Sequence, residues 1–109
     1  MTNGHKREFC LIAEGNYFSA DEAEKALREP FIEEWIEQTG KYRIHNLNDI
    51  EVAGGFSLGE LGVKMLEEEF FEISSILPNR PITEEKAKKI AEAIRQYDMF
   101  DEISIEARE

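Results

Sequence analysis

At 109 residues the chain has room for one domain around a single modest hydrophobic core. Apolar residues make up 41% and charged residues 34%, which excludes a wholly disordered chain, and the lone Cys10 excludes an internal disulfide. The formal net charge of -11 is uneven: residues 14–40 hold eight acids against Lys25 and Arg28, residues 57–77 hold five against Lys64, and residues 78–98 hold five basic residues against four acids.

Met1 to Arg7 reads as a flexible leader, with one α+β domain expected over residues 8–109. The first element is a strand over Glu8 to Ala13, an unbroken apolar run that suits a central strand covered on both faces. That run is too brief for a signal-peptide core, and no stretch approaches the roughly 18 apolar residues of a membrane span. Ser19 with Glu22 forms a capping-box pattern, opening a helix that places Ala20, Ala23, Leu27, Phe31 and Trp35 on one face. Pro30 removes a backbone donor, so a kink or two abutting helices over 20–28 and 30–38 are expected, ending at Gly40.

A hairpin is predicted next, with Tyr42 and Ile44 in one arm, Ile50 and Val52 in the other, and Asn46-Leu47-Asn48 as the turn. Ser57 with Glu60 repeats the capping box and predicts a second helix through Leu58, Leu61, Met65 and Leu66, extending over Phe70, Ile73 and Ile76. Phe71-Glu72-Ile73 with Ser74-Ser75 also fits a strand, and the helix is preferred because Phe71 alone leaves the stripe. Pro78 to Pro81 breaks the chain. Thr83 then caps a helix whose stripe is Ala87, Ile90, Ala91, Ile94 and Tyr97. A last strand alternates Ile103, Ile105 and Ala107 with polar residues. The sum is an α+β domain with a small, mostly antiparallel sheet of about four strands and about three helices.

Chemical motifs are sparse. His5, Cys10 and His45 do not have zinc-site spacing, and no metal or cofactor is expected. Cys10 has no base nearby in sequence and sits in an apolar strand, where a thiol is a small hydrophobe. The glycine-rich stretch Gly54 to Gly62 lies where phosphate loops occur, but it lacks the Gly-Lys-Ser/Thr ending and has acidic surroundings. Direct nucleic-acid binding is not expected either, because the basic residues of the last helix are balanced by acids one turn away.

What remains is the acidic surface. On a continuous first helix Glu22, Glu29, Glu33 and Glu37 form one stripe opposite the apolar face, and Glu67, Glu68 and Glu72, with Glu69, give the second helix a similar cluster. Like charges one helical turn apart cost a few tenths of a kcal/mol each, and acidic faces commonly serve solubility alone. The alternative is a surface shaped for a cationic partner, with carboxylates standing in for phosphates.

In size, charge and the clusters Glu29–Glu37 and Glu67–Glu72, the chain resembles small phage-encoded inhibitors of bacterial defence, anti-CRISPR proteins above all. That resemblance implies a non-enzymatic, cofactor-free inhibitor in the bacterial cytoplasm, occupying the basic DNA-recognition cleft of an RNA-guided nuclease. An immunity protein or antitoxin against a basic nuclease toxin has the same requirements. A small ligand-binding protein built on the Gly54–Gly62 loop and a phage assembly protein are further readings, and homodimerisation is compatible with each.

Overall fold

A computed structural model describes residues 7–108, so the leader expectation falls, apart from Arg7, outside the described residues. The chain runs β1 (Phe9–Glu14), α1 (Ala20–Thr39), a 3-10 turn (Leu47–Asp49), β2 (Glu51–Ala53) and β3 (Phe56–Ser57). It continues with a second 3-10 turn (Leu58–Glu60), β4 (Leu61–Glu67), β5 (Phe70–Ser75), α2 (Glu84–Arg95) and β6 (Glu102–Ala107). The fold is α+β, with a four-stranded antiparallel sheet in the order β4-β5-β1-β6 and a separate β2-β3 pair. Among the described residues there are two α-helices, one fewer than the sequence predicts.

Strand alternation builds the core. In register across the sheet, Leu11 lies between Ile73 and Ile105, and Ala13 lies between Phe71 and Ile103. Leu11, Ala13, Ile73 and Leu61 join Leu27 and Phe31 of α1 and Ala87, Ile90, Ala91 and Ile94 of α2 in one buried cluster. Both helices therefore cover one face of the sheet. The strand β1 is central as predicted, but among the described residues no helix covers its other face, with Cys10, Ile12 and Glu14. Cys10 is nevertheless buried, beside the side chains of Glu72, Glu106 and Arg108.

Three local expectations are corrected. First, α1 is one continuous helix with Pro30 inside it and not two abutting helices. The ring deletes one backbone bond, while Leu27 and Phe31 on either side are both buried and keep both halves packed on the sheet. Second, residues 41–46 form no strand. Asn46 instead caps the 3-10 turn, accepting from the Asn48 backbone N–H at 2.9 Å. The hairpin lies further on, where Gly54 (φ +62°) and Gly55 (φ +81°) give the paired left-handed residues that a type I′ turn requires.

The third correction is the largest. The Ser57–Glu60 capping box is present, but it opens a single 3-10 turn and not a long helix. Residues 61–75 are the β4–β5 hairpin, with Val63 opposite Ile73 and Met65 opposite Phe71. Gly62 belongs there because a Cβ would stand 2.7 Å from the Ile76 Cγ2. The strands are joined through Glu68 and Glu69, and Glu69 sits in the left-handed region at φ +69°. That geometry costs a residue with a Cβ about 1–2 kcal/mol, against about 0.5–1 kcal/mol of extra chain entropy for glycine. Glu69→Gly is accordingly expected to stabilise the fold by about 0.5–1 kcal/mol, read as a higher urea midpoint.

Candidate acidic interface

The Glu stripe begins at a cap. Ser19 Oγ accepts from the Glu22 backbone N–H at 3.2 Å, and the Glu22 carboxylate accepts from the Phe18 N–H at 3.2 Å. Because α1 runs unbroken past Pro30, Glu22, Glu29, Glu33 and Glu37 share one face, and all four are exposed. The last three recur about every 6 Å along the axis. None of those three makes an ion pair among the described residues. Other acids of α1 are engaged: Glu24 pairs with Arg28 at 2.5 Å, and Glu34 accepts from the Tyr97 hydroxyl and from Gln38 Nε2. The Glu34 carboxylate pushes that Tyr97 hydroxyl up to about 12, with burial adding to it.

The second predicted cluster is divided. Glu67 ends β4 and Glu68 lies in the turn, both exposed, whereas Glu72 is in the middle of β5 on the uncovered sheet face. Its side chain is only 16% exposed and meets Arg108 at 3.6 Å, while Arg108 also reaches Glu8 at 3.3 Å. Burial, with the charge of Glu72 and its hydrogen bond to the thiol, pushes Cys10 up to about 11, so Cys10 is a protonated, weakly nucleophilic thiol. Glu72 belongs with this sheet network and not with an exposed stripe.

Tertiary folding supplies what the linear reading missed. The strand β1 ends where β5 and β6 begin, with Glu14 opposite both Phe70 and Glu102. The Gly15 N–H donates to the Glu69 carbonyl at 2.9 Å, and the Asp101 N–H to the Glu14 carbonyl at 2.7 Å. Tyr17 pins the three segments together, its ring edge-on to Phe71 and Phe100 at 6.1 and 5.6 Å and its hydroxyl donating to the Met99 carbonyl. Segments 14–22, 67–70 and 98–102, none of which contains a lysine or arginine, thus meet at one end of the molecule and bring Glu14, Asp21, Glu22, Glu67, Glu68, Glu69, Asp98, Asp101 and Glu102 there. Arg95 reaches the border of this pole, donating to the Ile103 carbonyl at 2.6 Å. The field registers on Tyr17, whose hydroxyl is raised by burial first and then by Asp101, Glu22 and Glu29. Phe18, 89% exposed, stands at this acidic pole. No local pattern flags the pole, since each segment is short and the strand register alone joins them.

The glycine-rich stretch is structural. Arg80 lies 4.4 Å above the Phe56 ring, bonds Glu60 at 2.7 Å and donates to the Gly55 carbonyl, so the nearest guanidinium is already committed. Among the described residues no group of three His, Cys, Asp or Glu side chains is arranged to hold a metal ion, and no helix is long and apolar enough to cross a membrane. No family model matches the chain, and neither the curated proteins nor the solved structures contain a match.

Proposed function

We propose that this protein is a non-enzymatic inhibitor of a basic nucleic-acid-binding enzyme, presenting carboxylates where the enzyme normally holds phosphates. The observation that carries the reading is the junction of the α1 stripe with the acidic pole through Glu22. Together they give an extended anionic surface of Glu29, Glu33, Glu37, Glu67 and Glu68, none of which is ion-paired among the described residues. A surface that keeps Glu14 opposite Glu102 accepts a local repulsion that antiparallel pairing ordinarily avoids. Such a field steers association with a cationic groove and rejects anionic competitors. The target class is an RNA-guided nuclease of the CRISPR type, whose duplex-reading cleft is lined with basic residues. The setting is the cytoplasm of a bacterial host, and the genes expected to carry such an inhibitor are those of phages.

Immobilised protein is expected to retain a purified RNA-guided nuclease, to release it as salt rises, and to compete with target DNA. Reversal of Glu29, Glu33 and Glu37 to lysine should weaken that binding at least about tenfold, near 1.4 kcal/mol, with the circular dichroism unchanged. Full binding by the folded triple variant, or retention indifferent to salt, would refute the acidic contact.

A further inference from the structure

The acidic pole has a counterpart at the far end of α1. Twenty helical residues carry the chain about 30 Å away from the pole, and no residue of α1 beyond Phe31 is buried. The molecule is accordingly long, 51 × 29 × 21 Å. Gly40, at φ +70°, ends the helix by donating to the Ile36 carbonyl at 2.8 Å, and the chain turns into Lys41-Tyr42-Arg43-Ile44-His45. Lys41, Tyr42, Arg43 and His45 line an open cavity of about 380 Å³ with Trp35 and Asp49.

Three features set this tip apart. Residues 40–48 contain no acid, in a chain with 24 of them. Lys41 and Arg43, like Lys25, Lys64, Lys86, Lys88, Lys89 and Arg95, make no ion pair among the described residues, but these two alone flank an exposed tyrosine. Tyr42 is 88% exposed, and such aromatic exposure beside unpaired cations is the composition of a stacking platform for an aromatic ring that carries a phosphate. Asp49, the single carboxylate of the cavity, can accept from an amino or hydroxyl group but repels a second phosphate.

We propose that the tip binds a phosphorylated aromatic ligand, a nucleotide either free or at the end of a single strand. The base stacks on Tyr42 with Trp35 forming the wall of the cavity, the phosphate lies by Lys41 and Arg43, and Asp49 accepts from the base or sugar. The cavity falls within the range of about 300–1,000 Å³ typical of small-molecule sites. A duplex is a poor occupant, because two free cations cannot offset a net charge of -11 along its backbone. The ligand is therefore one stacked base with its phosphate, and the inference stands whether or not the acidic pole meets a nuclease.

Trp35 is the sole tryptophan and lines the cavity, so its emission reports occupancy. Titration with AMP and with a short oligouridylate is expected to quench it saturably, with ATP weaker than AMP because Asp49 opposes its further phosphates, while inorganic phosphate leaves the emission unchanged. AMP as tight as the oligomer identifies a free nucleotide, and a tighter, more salt-sensitive oligomer identifies a strand end. Tyr42→Ala should weaken binding roughly 5- to 100-fold. Lys41→Ala and Arg43→Ala should each lower the salt slope for the oligomer by about 0.7. Reversal of Glu29, Glu33 and Glu37 should leave it intact. Quenching that never saturates, or saturable quenching unchanged in the Lys41→Glu/Arg43→Glu variant, overturns the proposal.

Discussion

Replacing Phe56 with alanine is expected to cost about 3–5 kcal/mol, a large share of the about 5–15 kcal/mol that holds a domain of this size. Phe56 is fully buried in the core between the β2–β3 hairpin and α2, with Arg80 4.4 Å and Lys86 5.5 Å from its ring centre. Truncation removes the transfer free energy of the ring, leaves a cavity, and takes away the face on which both cations rest. Phe56→Leu keeps most of the volume and should cost less than half as much. Urea unfolding of the three proteins separates the terms. A loss under about 1 kcal/mol for the alanine variant would mean that the hairpin is not part of the cooperative core.

Glu60→Gln is expected to cost about 1.5–3 kcal/mol at neutral pH and progressively less in acid. The Glu60 carboxylate accepts from the Ser57 backbone N–H at 2.9 Å and its hydroxyl at 3.1 Å, and it meets the Arg80 guanidinium at 2.7 Å. Those contacts hold it below the usual carboxylate range, the Ser57 backbone bond most of all, against a smaller opposing effect of burial. The sign follows. A depressed folded-state pKa contributes stability that is present above the unfolded value and is lost as pH falls through the folded one. Arg80 is partly exposed, so solvent screens the ion pair and most of the effect resides in the Ser57 bonds. Wild-type and variant urea midpoints should converge below the ordinary glutamate value of about 4.3. A constant gap across that range would assign the latch to packing and not to charge.

Elements whose pattern has a single reading were legible in the sequence. Thr83 does cap α2, accepting from the Lys86 N–H at 3.2 Å, and Ala87, Ile90, Ala91 and Ile94 are its buried face. The strands β1 and β6 stand where the apolar run and the alternation put them. The region from Ser57 to Ser75 has two readings, because Leu58, Leu61 and Met65, then Leu66, Phe70 and Ile73, recur at three- and four-residue helical spacing while Leu61, Val63, Met65 and then Phe71, Ile73 satisfy a strand period. Gly59 and Gly62 weaken the helix, and pairing with β1 decides the contest by burying Phe71 and Ile73 completely. Arg80 entered the sequence reading only as one more positive charge, because its partners Gly55 and Glu60 lie 25 and 20 residues away.

The candidate site divides in the same way. Glu22, Glu29, Glu33 and Glu37 share a face because helical spacing is a local property, and continuity past Pro30 needed only Leu27 and Phe31 to pack. Glu72 left the expected set because alternation in β5 turns it to the sheet face, where Cys10 and Arg108 wait. Net charge, the α+β class, the capping residues and the α1 stripe were fixed by composition and by contacts within one helical turn. The acidic pole, the latch around Glu60 and the isolation of the Lys41–His45 tip were decided by tertiary structure. Antiparallel register sets Glu14 beside Glu102, and residues 88 positions apart have no signature in sequence until the strands pair.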